Sequence, residues 1–301
     1  MESYIEKAMN TELPRRRKIN IDPKIGFGLE IENNGFTSLR EVNDAERVIC
    51  NVDPLLDVKD DRSLSIIRPN KTIEQGIEVV TPVMHNKKDD LEMLKKLSST
   101  LKHINPKYNL SSFQVNLDDD FTDEERLYLL KLYTYFEQII ARFCRGNDPA
   151  LRTMVTTYSD ALYYKMMNSI SIFDHPKDIV DTFTENKMLA VNFKKRPRRL
   201  IEFRLPNGTN EYTLWFNYIN MFTNLVNAVK EKRIDERYLD ILLKREKENY
   251  NHNYKYQYKC FKIKEKLLEE FLFYIFENEE DKLYFTQQYL GEDIKTLKKA
   301  Q

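Results

Sequence analysis

Glu30 and Glu32 are separated by one residue in a stretch where Phe27, Leu29 and Ile31 occupy the alternate positions. Successive side chains of a β-strand point to opposite faces, so this spacing puts both carboxylates on one face and the apolar groups on the other. The same alternation recurs at Glu78 between Ile77 and Val79, at Gln114 and Asn116 around Val115, and at Glu202 and Arg204 around Phe203. Four strands would then share one kind of polar face. Two carboxylates about 7 Å apart on one face repel each other unless a cation lies near them. Carboxylates with neutral amide oxygens are the ligand chemistry of Mg²⁺ or Mn²⁺, hard ions that usually share their shell with phosphates. The planar fork of Arg204 suits a phosphate oxygen. A sheet with one solvated side produces the same alternation, although Glu is depleted from strands.

These side chains need elements to hold them. Period-two patterning predicts strands over 24–32, 76–81, 110–117, 189–193 and 200–205. Helical spacing predicts helices over 88–104, over 123–143 behind an N-cap at Thr122, over 175–184 and over 210–231. Strands and helices are thus mixed, an α+β pattern. From Asp235 onward the chain is charged and aromatic with helical spacing and contains no Pro, which predicts a helical C-terminal region, with the run 249–258 as a break. The expected organisation is a basic N-terminal arm over 1–20, a catalytic domain over 21–232 and helices over 233–301.

The chain has 301 residues, enough to bury a sizeable core, with 41% hydrophobic and 32% charged residues and no long low-complexity tract. Lys and Arg number 48 against 48 Asp and Glu, so no global field favours nucleic acid or an acidic membrane. Basic character is local: Arg15, Arg16, Arg17 and Lys18 in the arm, and Lys194, Lys195, Arg196, Arg198 and Arg199 in an expected hairpin loop. The first ten residues lack an apolar core, and no run approaches the roughly 18 apolar residues of a membrane span, so a cytoplasmic protein is expected. Cys50, Cys144 and Cys260 are far apart and odd in number, which argues against disulfides or a thiolate zinc site.

Several segments, in order, resemble amidoligases of the glutamate-cysteine ligase and glutamine synthetase superfamily. They are GFGLEIE at 26–32, DRSL at 61–64, GIEVVTP at 76–82, SSFQVNL at 111–117, and Asn192 followed by IEFRLPNG at 201–208. The resemblance covers about residues 24–227 and implies a largely antiparallel curved sheet of the glutamine synthetase-like type packed on helices. One departure stands out. The family's central strand usually reads His-Val-His where this chain has Gln114, Val115 and Asn116. Amide oxygens still ligate magnesium. Loss of both imidazoles also fits a changed substrate or a decayed site.

By that resemblance, a carboxylate substrate attacks the γ-phosphate of ATP and an amine captures the acyl phosphate. Glu30, Glu32, Glu78 and Glu202 would hold Mg²⁺ (or Mn²⁺), with Gln114 or Asn116 completing the shell. Arg204 would stabilise the γ-phosphate, placing Glu202 and Arg204 at the reacting centre. Asp61, Ser63 and Arg199 are the further nucleotide or substrate contacts, and Arg142 and Arg145 are candidates for the carboxylate substrate. His85, His103, His175 and His252 match no motif and read as surface or packing residues. Two alternatives stay open: a phosphotransferase that stops after phosphoryl transfer, and a non-catalytic module binding nucleotide, protein or nucleic acid.

Overall fold

The computed structural model describes residues 3–14, 18–67, 73–104, 112–146, 162–168, 176–195, 198–248, 263–291 and 293. It is an α+β structure. Six strands, β1 (Phe27–Phe36), β2 (Asp57–Ile67), β3 (Ile73–Val80), β4 (Phe113–Asp118), β5 (Val191–Lys194) and β6 (Leu200–Phe203), lie in the order β2-β3-β1-β4-β6-β5. Strand β1 pairs with β3 and with β4, and β2 with β3, all antiparallel. The helices among the described residues are α1 (Tyr4–Asn10), α2 (Leu39–Cys50), α3 (Lys88–Ile104), α4 (Asp123–Arg145), α5 (Leu162–Asn168), α6 (Pro176–Thr182), α7 (Tyr212–Lys230), α8 (Glu236–Glu248), α9 (Glu265–Ile275) and α10 (Glu279–Leu290). None is long and apolar enough to cross a membrane.

The chain forms two compact units, and they do not follow sequence order. One comprises Arg16–Asp118 and Glu202–Ile219; the other comprises Met1–Arg15, Asp119–Ile201 and Asn220–Gln301. The expected division at residues 20 and 232 therefore differs from the compact units, which the chain enters and leaves more than once.

In the first unit, Leu29, Ile31, Ile77, Val79 and Val115 are wholly buried, and helix α2 lies against β1, β2 and β3. Helix α2 begins at Ser38, whose side chain accepts the Glu41 N–H, and it buries Val42, Ala45 and Ile49. Helix α3 packs on α2 and buries Met93, Leu94, Leu97 and Leu101. Phe113 of β4 stacks on Trp215 with ring centroids 5.9 Å apart, and the Trp215 indole N–H donates to the Thr209 carbonyl at 2.7 Å. Gly35 has φ 103° where the β1–β3 register shifts, a backbone that other residues rarely adopt. Gly76 answers a different demand: a Cβ there would stand 2.2 Å from Leu64 Cβ of β2.

In the second unit, α4 is the central helix. Thr122 and Glu125 form a reciprocal capping box at its start, as the expected N-cap requires, and α5, α6, α8, α9 and α10 all contact it. Phe143 stacks on Phe285 at 4.3 Å, and Phe271 meets Phe136 at 5.1 Å. Lys131 is buried on α4 and neutralised by Asp240 at 2.8 Å and Glu236 at 3.5 Å. Arg142 has a structural role here. Its Nε donates to the Tyr289 carbonyl at 2.7 Å, and its guanidinium pairs with Asp293 and covers the Tyr289 ring. Burial pushes the Cys144 thiol well above its ordinary value, as expected of an inert core cysteine. Cys260, His175 and His252 lie outside the described residues.

The first part of the expected arm is folded. Ser3 and Glu6 form a capping box for α1, which packs on α10, and the Gln287 amide donates to the carbonyls of Ala8 and Thr11. The physical reason is that Ile5, Ala8 and Met9 bury one side of a short helix, a signal that the adjacent basic run obscured. Arg15, Arg16 and Arg17 lie outside the described residues, as does the expected break at 249–258.

The contact at Gly76 gives a stability prediction. Gly76→Ala overpacks the β2–β3 interface and lowers unfolding free energy in urea by about 1–3 kcal/mol. Gly28→Ala, whose Cβ meets nothing nearer than 3.8 Å, leaves it within about 0.5 kcal/mol of wild type.

Candidate metal centre

Register converts the sequence pattern into a site. In the β1–β3 ladder Glu32 stands directly opposite Glu78, and in the β1–β4 ladder Glu30 stands opposite Gln114 and Gly28 opposite Asn116. Paired residues share a face. In the β2–β3 ladder Lys59 stands opposite Glu78 and Asp61 opposite Gly76, so both also belong to the polar face. The carboxylates of Glu32, Asp61 and Glu78 each offer an oxygen, and these atoms all lie within 4.8 Å of one another. All three side chains are half-buried.

A second group of polar side chains on this face holds the first in place. The Ser112 N–H donates to Glu32 Oε2 at 2.9 Å, and Gln114 Nε2 approaches Glu32 Oε1 at 3.5 Å. The Gln114 carbonyl oxygen accepts from Arg204 at 2.6 Å, and Arg204 also pairs with Glu202 at 3.2 Å. Gln114 and Glu202 are almost wholly buried. Asn116 Nδ2 donates to Glu30 Oε1 at 2.9 Å, while its own Oδ1 is buried with no hydrogen-bond partner. A buried carbonyl oxygen without a partner is uncommon and calls for a donor or a cation.

The structure places the predicted metal ligands in separate groups. Glu32 and Glu78 join Asp61 in the carboxylate cluster. Glu30 pairs with Asn116, and Gln114 and Glu202 both engage Arg204. Asp61 is expected as a nucleotide or substrate contact; its position puts it among the clustered carboxylates. The signal that would have placed it was the strand character of β2, which four Asp or Lys residues at 57–61 concealed. Lys59 and the Ser112 backbone were not singled out by sequence. Ser63 lies on β2 with its side chain outside the description. Arg199 belongs to the other unit, where its guanidinium donates to the Phe121 carbonyl at 3.0 Å and lies 3.9 Å from Asp119. Lys195 and Arg198 are exposed in the same loop, and Arg196 lies outside the described residues.

Electrostatics follow from crowding. Burial pushes the Glu78 carboxyl up to about 7, helped by the charges of Glu30, Glu32 and Asp61 and opposed by Lys59. Burial likewise raises Glu32; the Ser112 hydrogen bonds oppose it, Asp61 adds to it and Arg204 offsets part. Hard oxygen donors are the ligand type of Mg²⁺ or Mn²⁺; three of them on one octahedral ion include pairs about 3 Å apart, so the oxygens of Glu32, Asp61 and Glu78 would have to rotate closer to share one.

The raised carboxyls fix the sign of a pH effect. Between pH 4.5 and about 7 the folded protein keeps a proton on Glu78 that the unfolded chain has released, so metal-free stability falls as pH rises through that window. A divalent cation needs the ionised carboxylates. The gain in Tm on adding Mn²⁺ is therefore expected to be small near pH 5 and to reach several degrees near pH 8. Glu78→Gln reduces both the gain and the metal-free decline; an equal gain at both pH values shows that the ion binds elsewhere. Comparison of the chain with protein-family models and with curated proteins finds no match to either.

Proposed function

We propose that this chain is an ATP-dependent amidoligase of the glutamine synthetase-like type, acting in the cytoplasm and joining a carboxylate to an amine. The observation that carries this reading is the meeting of Glu32, Asp61 and Glu78 on one sheet face, beside an Arg204 held by Gln114 and Glu202. The ordered motifs of the sequence supply the link from metal chemistry to ligation.

In this reading Glu32, Asp61 and Glu78 would hold Mg²⁺ or Mn²⁺. The ion, when bound, neutralises charge on the phosphate oxygens. The protein's own part is positioning. Ser112 and Gln114 orient Glu32, and Arg204 presents its fork to the γ-phosphate from a position fixed by Gln114 and Glu202. An oxygen of the substrate carboxylate attacks the γ-phosphorus, the bond to the bridging oxygen breaks, and ADP leaves. The amine nitrogen then attacks the acyl carbon, the bond to the phosphate oxygen breaks, and phosphate leaves as the nitrogen gives up a proton.

The test is product analysis with candidate acids, Mg²⁺ and ATP. Ligation releases ADP and phosphate in step with amine consumption. A stable phosphorylated product formed without amine establishes a phosphotransferase instead, and the absence of Mg²⁺-dependent ATP binding defeats both. Glu32→Gln is expected to abolish that binding. Gln114→Leu, which removes one contact to Arg204 and one to Glu32, lowers kcat about 10–100-fold and leaves the fold intact by circular dichroism.

A further inference from the structure

Lys59 is the one cation of the β2–β3 ladder that faces the carboxylate cluster among the described residues. It stands directly opposite Glu78, with Nζ 3.9 Å from Glu78 Oε1 and 3.3 Å from Asp57 Oδ2. Its side chain is 53% exposed, whereas that of Arg204 is 12% exposed and engaged by Gln114 and Glu202. In strand order the two cations flank the cluster: Lys59 on β2, and Arg204 just beyond β6. One is fixed and the other is free to swing on a four-carbon stem.

We infer that Lys59 is a phosphate-binding residue of this site, gripping the anion that shares the metal held by Glu32, Asp61 and Glu78. The inference rests on the metal–nucleotide reading above. Without a cation, the ammonium is drawn to Glu78 and Asp57. A divalent ion that takes over the Glu78 carboxylate leaves the exposed ammonium with Asp57 and within reach of the open side of the ion, where such hard ions carry phosphate oxygens. The long 3.9 Å separation and the exposure of the side chain suit a group that changes partner. Lysine, with three rotatable donors and no fixed fork, follows a phosphate from different directions, which complements the fixed geometry of Arg204.

Two titrations on the full chain separate this role from simple charge balance. Mn²⁺ alone and a nonhydrolysable ATP analogue at saturating Mn²⁺ are each titrated calorimetrically into wild type, Lys59→Met, Lys59→Arg and Lys95→Met, the last removing an exposed lysine of α3 as a control for net charge. Lys59→Met is expected to keep or tighten the affinity for Mn²⁺ alone, because a competing cation is gone, and to weaken the analogue about tenfold or more. Lys59→Arg restores most of the analogue affinity, and Lys95→Met changes neither. The role is overturned if Lys59→Met leaves the analogue within twofold of wild type, or if it weakens Mn²⁺ and analogue alike. Failure of the wild-type protein to bind the analogue at all overturns the nucleotide reading itself, and is told apart because it appears before any substitution is made.

Discussion

Glu32 and Glu78 face each other across adjacent strands with Asp61 beside them, and much of the first unit can be understood as the means of keeping them there. Two unit charges within 4.8 Å of each other at an effective dielectric of 20 repel by about 3.5 kcal/mol or more, and like charges directly opposite in a ladder are ordinarily avoided. The sheet cannot relax by slipping. A one-residue shift would turn Leu29, Ile31, Ile77 and Val79 out to the polar face and send the glutamates into the core. Each of those fully buried side chains contributes about 1.5–3 kcal/mol, so the apolar face outweighs the repulsion and fixes the register. What remains adjustable is protonation and counterions, and both are visible in the raised Glu78 and Glu32 carboxyls and in the placement of Lys59 and Arg204.

The two sides of the cluster are built differently. Toward β4 and the segment after β6, Ser112, Gln114, Arg204 and Glu202 form a connected, mostly buried chain of hydrogen bonds and ion pairs. Such a network is favourable only when each member has its partner, and it then fixes side-chain positions closely. Toward β2 the partners are exposed and long-stemmed. A site with one rigid and one adaptable flank can keep a carboxylate and a guanidinium in place while still admitting a charged ligand.

Much of this was legible in the chain, because the polar face depends on period-two spacing and that spacing is local. Helix α3 spans the predicted 88–104, and α4 starts where Thr122 and Glu125 predict. The opposition of Glu32 to Glu78 was not legible, since cross-strand register joins residues far apart in sequence. Strand β2 escaped notice because Asp57, Lys59, Asp60 and Asp61 are poor strand formers; pairing with β3 overrides that local preference. Helix α1 was hidden beside the basic run, and its stability comes from packing on α10. The compact units were obscured for a related reason: the chain leaves the first unit after Asp118 and returns at Glu202, so no single cut along the sequence separates them.

The amides at 114 and 116 decide how the acidic face is divided. An amide carries a donor and an acceptor on one group, so Gln114 can accept from Arg204 and turn its N–H toward Glu32 at any pH. An imidazolium there would have two donors and nothing to offer Arg204; a carboxylate would accept from Arg204 but add a sixth acidic group beside Glu30, Glu32, Asp61, Glu78 and Glu202. Asn116 plays the complementary part, donating to Glu30 while its carbonyl oxygen stays without a hydrogen-bond partner. The two amides thus engage Glu30 and Arg204, while Glu32, Asp61 and Glu78 each offer an oxygen within 4.8 Å of the others, so acidic groups are concentrated in one place on the sheet.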